Sequence, residues 1–160
     1  MRVIPALVTL LACALAGCTQ QQQACTEIGA MSGVSIFVDR SIAPKVSSIK
    51  LRICWSGQCQ ISDVTLQVNT EPTQTSPCPT DDPDGSCSAS MVPTPDKIGF
   101  ADVADLPAGP IMISTTIPRS GRKPLRTSID VQATTTYPNG RQCPGQGNQA
   151  NVTLYDNGFR

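Results

Sequence analysis

The segment Ser47-Ser48-Ile49-Lys50-Leu51-Arg52-Ile53-Cys54-Trp55-Ser56-Gly57-Gln58-Cys59-Gln60-Ile61-Ser62-Asp63-Val64-Thr65-Leu66 holds a complete β-hairpin in its residue pattern. Ile49, Leu51 and Ile53 alternate with Lys50, Arg52 and Cys54, the period of a strand with one apolar face. Ser56-Gly57 is a tight-turn dipeptide. A two-residue turn there sets Trp55 opposite Gln58 and Cys54 opposite Cys59, and the ladder then puts Ile49 opposite Val64 and Ser47 opposite Leu66. The apolar positions of both arms share one face, and the two cysteines share the other. A single register satisfies the hydrophobic pattern and a cross-strand disulfide together. Closing so short a loop contributes only about 2 kcal/mol.

Period-two runs recur on either side of this hairpin. Val34, Ile36 and Val38 mark an earlier strand, and Val64, Leu66 and Val68 carry the second arm onward. Ile98, Phe100 and Val103 form a short strand, followed by Ile111, Ile113 and Ile117. Leu125, Thr127, Ile129, Val131 and Ala133 run toward Tyr137, and Ala150, Val152 and Leu154 make the last strand. Turns are expected at Arg119-Ser120-Gly121-Arg122, Pro138-Asn139-Gly140 and Asn157-Gly158. Thr70 to Asp96, with six prolines and no apolar periodicity, reads as a long loop. Loops beyond roughly 15 residues are usually functional or disordered. The composition, rich in Pro, Thr, Ser and Val with few aromatics, suits strands joined by turns. The expectation is an all-β, disulfide-braced antiparallel β-sandwich, immunoglobulin-like or prealbumin-like, with about seven strands in a single domain spanning 25–160. Gly99-Phe100 with Leu106-Pro107-Ala108-Gly109-Pro110 resembles the strand-turn-strand element of prealbumin-like sandwiches such as carboxypeptidase regulatory-like domains. That resemblance covers this stretch alone, and it implies a turn that crosses between two sheets and no chemistry.

Ahead of the domain, Met1-Arg2 precedes an apolar run from Val3 to Ala16 that is too short to span a bilayer and stops at Thr19 and four glutamines. Leu15-Ala16-Gly17-Cys18 closes that run and resembles the lipobox of bacterial lipoproteins. The resemblance implies a signal peptide over 1–17, cleavage between Gly17 and Cys18, and a diacylglyceryl and palmitate-type anchor on Cys18. Ala14-Leu15-Ala16 also fits an ordinary secretory cleavage site, which would release a soluble protein. With the lipid, the chain sits on the outer face of the cytoplasmic membrane, in the cell envelope, and residues 18–24 are the lipidated cysteine and a polar tether. Two acyl chains suffice for stable anchoring. Loss of Arg2 leaves 11 basic residues against 12 acidic ones and no His. Such a balance gives no footprint for nucleic acid.

Cysteine parity fits this processing. Of eight cysteines, Cys13 leaves with the signal and Cys18 takes lipid. An even set remains, which in an exported chain reads as three disulfides. Local pairing joins Cys54 with Cys59 and Cys78 with Cys87, and so leaves Cys25 for Cys143, a bond closing more than 100 residues. No Cys-x-x-Cys spacing and no His support a metal site, and no cofactor is expected. Asp81, Asp82 and Asp84 before Gly85 lack the remaining ligand spacing of a calcium loop.

No catalytic constellation stands out. Nucleophilic catalysis most often pairs Ser or Cys with a His base; here only Ser48 with Lys50 or Ser120 with Lys123 is formally possible. Glu27 and Glu71 are the only glutamates beside scattered aspartates, and nothing selects a facing pair for glycoside hydrolysis. Three features offer binding or redox chemistry. Arg119, Arg122, Lys123 and Arg126 form a basic cluster suited to anionic wall polymer or headgroups. Trp55 offers a surface for stacking on sugar or protein, and Cys54 with Cys59 offers a thiol pair. The expected function is a non-enzymatic, membrane-anchored binding or envelope-organising module for an envelope protein or wall polymer. An envelope thiol-disulfide oxidoreductase using Cys54 and Cys59 and a carbohydrate-binding module led by Trp55 are the alternatives.

Overall fold

The computed structural model describes residues 24–76, 88–119 and 121–160. The expected signal peptide, Cys18, most of the tether, Ser120, the Cys78 with Cys87 bond and the Asp81, Asp82 and Asp84 group lie outside the described residues. The described residues form nine strands: β1 (Gly33–Val38), β2 (Ser48–Trp55), β3 (Gln58–Thr65), β4 (Gln67–Ser76), β5 (Ser88–Asp102), β6 (Gly109–Ile117), β7 (Leu125–Thr135), β8 (Asn148–Tyr155) and β9 (Gly158–Phe159). One 3-10 turn, Ala43–Lys45, follows β1. The protein is all-β, as its alternating pattern requires.

The strands make one curled mixed sheet in the order β3-β2-β6-β7-β8-β1-β5-β4, with β9 added beside β8. Every pairing is antiparallel except that of β1 with β8, which is parallel. The β2–β3 hairpin has Ile49 opposite Val64, Cys54 opposite Cys59 and Trp55 opposite Gln58. Ser56 and Gly57 both have positive φ, 47° and 81°, the backbone that a two-residue turn needs to match strand twist. Among the described residues two disulfides are present, Cys54–Cys59 and Cys25–Cys143. The second ties the segment before β1 to the loop between β7 and β8, where Asn139 Nδ2 also donates to the Ile28 carbonyl at 3.1 Å.

One core fills the curl. Val34, Ile36 and Val38 of β1, Leu51 and Ile53 of β2, Ile113 of β6 and Leu154 of β8 are all essentially inaccessible to solvent. Apolar alternation therefore translates directly into burial for these strands. β7 contributes Leu125, Ile129 and Val131, which are half-buried against the same cluster.

Three expectations need correction. The strand through Val64, Leu66 and Val68 is two strands: the chain leaves β2 at Leu66, whose amide still donates to the Ser47 carbonyl at 3.0 Å, and β4 then pairs β5. Val68 is consequently 54% exposed. That division and the short β9 raise the count from about seven to nine. In β5 the core face is Gly99 and Ala101, with Val103 just beyond the strand, while Ile98 and Phe100 lie half-buried on the other side. Gly99 at that position lets β5 pass close under β3, where any side chain would collide. Finally, Thr70 to Asp96 is not a loop on either side of residues 77–87, because Thr70 pairs with Pro93, Glu71 with Val92 and Pro72 with Met91. β1 covers β5 only over Lys97 to Asp102. The rest is a two-stranded ribbon in solvent, which needs no apolar face and so shows no periodicity. Its prolines are tolerated because such a ribbon leaves one side of each strand without a ladder partner.

Register also shows which strand ends lie together. Gly33 is level with Asp102 and with Gln149, Gln149 with Thr134, and Gly109 with Ala133. This is the entry end, where the chain enters β1 and where the Ser56-Gly57 turn and Cys25–Cys143 lie. Val38, Lys97, Leu154, Ile117 and Leu125 mark the far end.

Candidate functional site

Two neighbouring cationic surfaces stand out. On the outer face of β2, β6 and β7, Arg52 is level with Ser114 and Ser114 with Ser128, while Arg126 is level with Thr116 one row further on. Alternate residues of a strand share a face, so Lys50, Arg52, Ser114, Thr116, Arg126 and Ser128 all point away from the core. With Ile61 of β3 they line an open groove of about 460 Å³. Lys50 is already engaged: its Nζ lies 2.8 Å from Asp63 across the hairpin. Among the described residues no carboxylate comes within ion-pair distance of Arg52 or Arg126. Two strand spacings and one row separate their Cα atoms, about 12 Å. Thr115 points the other way, buried, and donates its hydroxyl to the Lys50 carbonyl at 2.8 Å.

The second surface is a cleft of about 510 Å³ at the far end, lined by Arg119 and Arg122 after β6, Lys45 of the 3-10 turn and Asp156 of the β8–β9 turn. Ile42, Val46 and Ile117 form its apolar wall. Arg119 donates from its guanidinium to the Asp156 carbonyl, which orients it along the rim. Ser41 also lines the cleft, but its hydroxyl and amide both donate to Asp39 Oδ1, at 2.5 and 2.9 Å. These bonds, the hydroxyl's first, hold the Asp39 carboxyl below its ordinary range. Ser41 is thus committed to Asp39, and the cleft presents three cations against the single carboxylate of Asp156.

The basic cluster of the sequence is therefore divided. Arg119 and Arg122 line the cleft, Arg126 lines the groove, and Lys123 lines neither. Sequence reading missed Lys45 and Arg52 and named Lys50 only as a formal partner of Ser48. Lys50 and Arg52 were legible as outward-facing from the alternation of β2, but their neighbourhood with Arg126 depends on β6 lying between β2 and β7.

Trp55 sits at the entry end, half-buried and packed against the core. It lines a shallow depression with Cys54, Met112 and Asp130. Cys54 and Cys59 are bonded to each other across a strand ladder, and among the described residues no helix N-terminus lies beside them to favour a thiolate. The Lys50 ammonium beside Ser48 is paired with Asp63. Glu27 lies at the entry end and Glu71 on the ribbon beyond the far end, so the fold does not bring the two glutamates together. No group of three or more metal-ligating side chains occurs among the described residues. No family model, curated protein or solved structure matches this chain.

Proposed function

We propose that this chain is a cell-envelope lipoprotein, anchored through lipid on Cys18 to the outer face of the cytoplasmic membrane, whose domain binds an anionic partner and performs no chemistry of its own. Its curled sheet is read as a β-sandwich: β4, β5, β1 and β8 form one layer, β3, β2, β6 and β7 the other, and both supply the single core. The lipobox-like Leu15-Ala16-Gly17-Cys18 and the even cysteine set behind it support the anchor. The observation that carries the binding role is the pair Arg52 and Arg126, both exposed, without a carboxylate partner among the described residues, and flanked by the hydroxyl-bearing Ser114, Thr116 and Ser128. Guanidinium groups so placed offer planar donors to phosphate or carboxylate oxygens.

The test uses the detergent-solubilised lipoprotein and poly(glycerol phosphate) as probe. Binding is expected to weaken with added salt, as screening of exposed charges requires, and the double substitution Arg52→Glu with Arg126→Glu is expected to weaken it about tenfold or more, near 1.4 kcal/mol. Salt-independent binding, or a double variant that binds unchanged, removes the groove from the proposal.

A further inference from the structure

The chain is almost neutral overall, yet its cations gather toward one end of the strand axis. Of the 11 cationic residues among those described, nine lie in the far half, including Lys45, Arg119, Arg122 and Arg126; Arg52 is near the middle and only Arg141 is at the entry end. Five carboxylates, Asp39, Asp63, Glu71, Asp96 and Asp156, share that far half with the nine cations, whereas the entry end carries Glu27, Asp102, Asp105 and Asp130 against its one arginine. The entry end is also where the anchor arrives, because Cys25 is bonded to Cys143 in the β7–β8 loop.

We infer that the cationic end faces away from the membrane holding the anchor, and that its partner is an anionic polymer of the wall, a phosphodiester or polyuronate chain, rather than headgroups of the same bilayer. This rests on the reading that Cys18 carries lipid. From Met112, level with Cys54, to Arg119 is seven residues of extended chain, about 23 Å. The six residues Thr19 to Ala24 span at most about 20 Å when taut and on the order of 13 Å when relaxed. Laying the cationic end on the bilayer would lift the entry end beyond that relaxed span. With the entry end down, four carboxylates approach an anionic surface, and their repulsion keeps that end from adhering while the cations project outward. A linear polyanion matches the outward surface, since the groove and the cleft follow one another along the β6–β7 hairpin from Arg126 to Arg119.

The lipidated protein in vesicles containing anionic lipid and a dansyl-headgroup lipid tests this. Trp55 is the only tryptophan, so energy transfer from the native protein reports the entry end; Trp55→Phe combined with Lys123→Trp reports the far end. Several-fold stronger transfer from Trp55 is expected. Equal or stronger transfer from position 123 overturns the orientation. The native protein supplies a second readout independent of that variant's folding: a membrane-impermeant amine reagent is expected to acylate Lys123 and Lys45 as fast on vesicles as in detergent, and slowing on anionic vesicles overturns it. Vesicle-bound protein is also expected to retain poly(glycerol phosphate), with loss on Arg119→Glu and Arg122→Glu; no retention overturns the choice of partner. Failure to float with vesicles at all overturns the lipid on Cys18 and the inference with it, whereas flotation with the wrong end down overturns the inference alone.

Discussion

Gly99 of β5 passes so close beneath Val64 of β3 that a Cβ on it would come within 2.5 Å of Val64 Cγ1 and 3.1 Å of the Thr65 carbonyl oxygen. This contact is where β3, one end of the strand order, meets β5, the strand next to the other end, aided by a 3.3 Å hydrogen bond from Gln60 Nε2 to the Asp102 carbonyl. Gly99→Ala is therefore expected to destabilise the protein by about 1–3 kcal/mol through overpacking. Urea midpoints at constant slope measure it. A variant as stable as the parent would show that β3 and β5 do not pack this closely.

The two disulfides among the described residues close loops of very different size, with sequence separations of 5 and 118. Removing Cys54–Cys59 by paired serine substitution is expected to cost about 2 kcal/mol, and removing Cys25–Cys143 about 5 kcal/mol. Comparison of the two denaturation curves checks the ordering, which a larger loss at Cys54–Cys59 would reverse.

For Cys54–Cys59 the strand setting also predicts a structural bond, with a reduction potential below about −300 mV. Equilibration against a dithiol buffer series measures it. A potential near that of catalytic dithiols would favour the oxidoreductase instead.

Asp39 titrates below its ordinary value of 3.8 because the Ser41 hydroxyl and amide donate to its carboxylate. A folded-state pKa below the unfolded one means that the stabilising contribution is present above the unfolded value and is lost as pH falls through the folded one. Ser41→Ala is expected to raise the Asp39 pKa toward 3.8 and to shrink the loss of stability in that acid range. Carboxyl chemical shifts followed against pH check it; an unmoved titration would mean that the hydroxyl bond is not formed in solution.

Arg122 lines the far-end cleft and Lys123 does not. Charge reversal at Arg122 is expected to weaken poly(glycerol phosphate) binding several-fold more than reversal at Lys123, which acts only through screened long-range attraction. Equal effects would argue for a diffuse positive surface without a defined cleft.

How much of this was legible varies with what each strand faces. β1, β2, β6 and β8 have one side on the core, so alternation revealed their faces, and Cys54 with Cys59 pinned a β2–β3 register that the structure shows residue for residue. β5 misled because its inward position is Gly99, chosen for close approach and silent in a hydrophobic pattern, while Phe100 packs on the opposite face above Gly33. The β4–β5 ribbon was illegible because solvent lies on both faces, leaving no burial to imprint a period. The basic cluster was visible as composition, but its division between groove and cleft was not.

The sequence by itself determined the all-β class, the hairpin register, the apolar faces of most strands and an almost balanced charge, because each follows from local period, turn chemistry or simple counting. Only the tertiary structure decided that β6 separates β2 from β7 and so brings Arg52 toward Arg126, that β1 lies parallel to β8, and that nine of the 11 described cations gather in the far half. Strand order depends on long-range pairing, which side-chain alternation along one strand does not encode. A near-zero net charge therefore concealed a cationic far end above an acidic entry end.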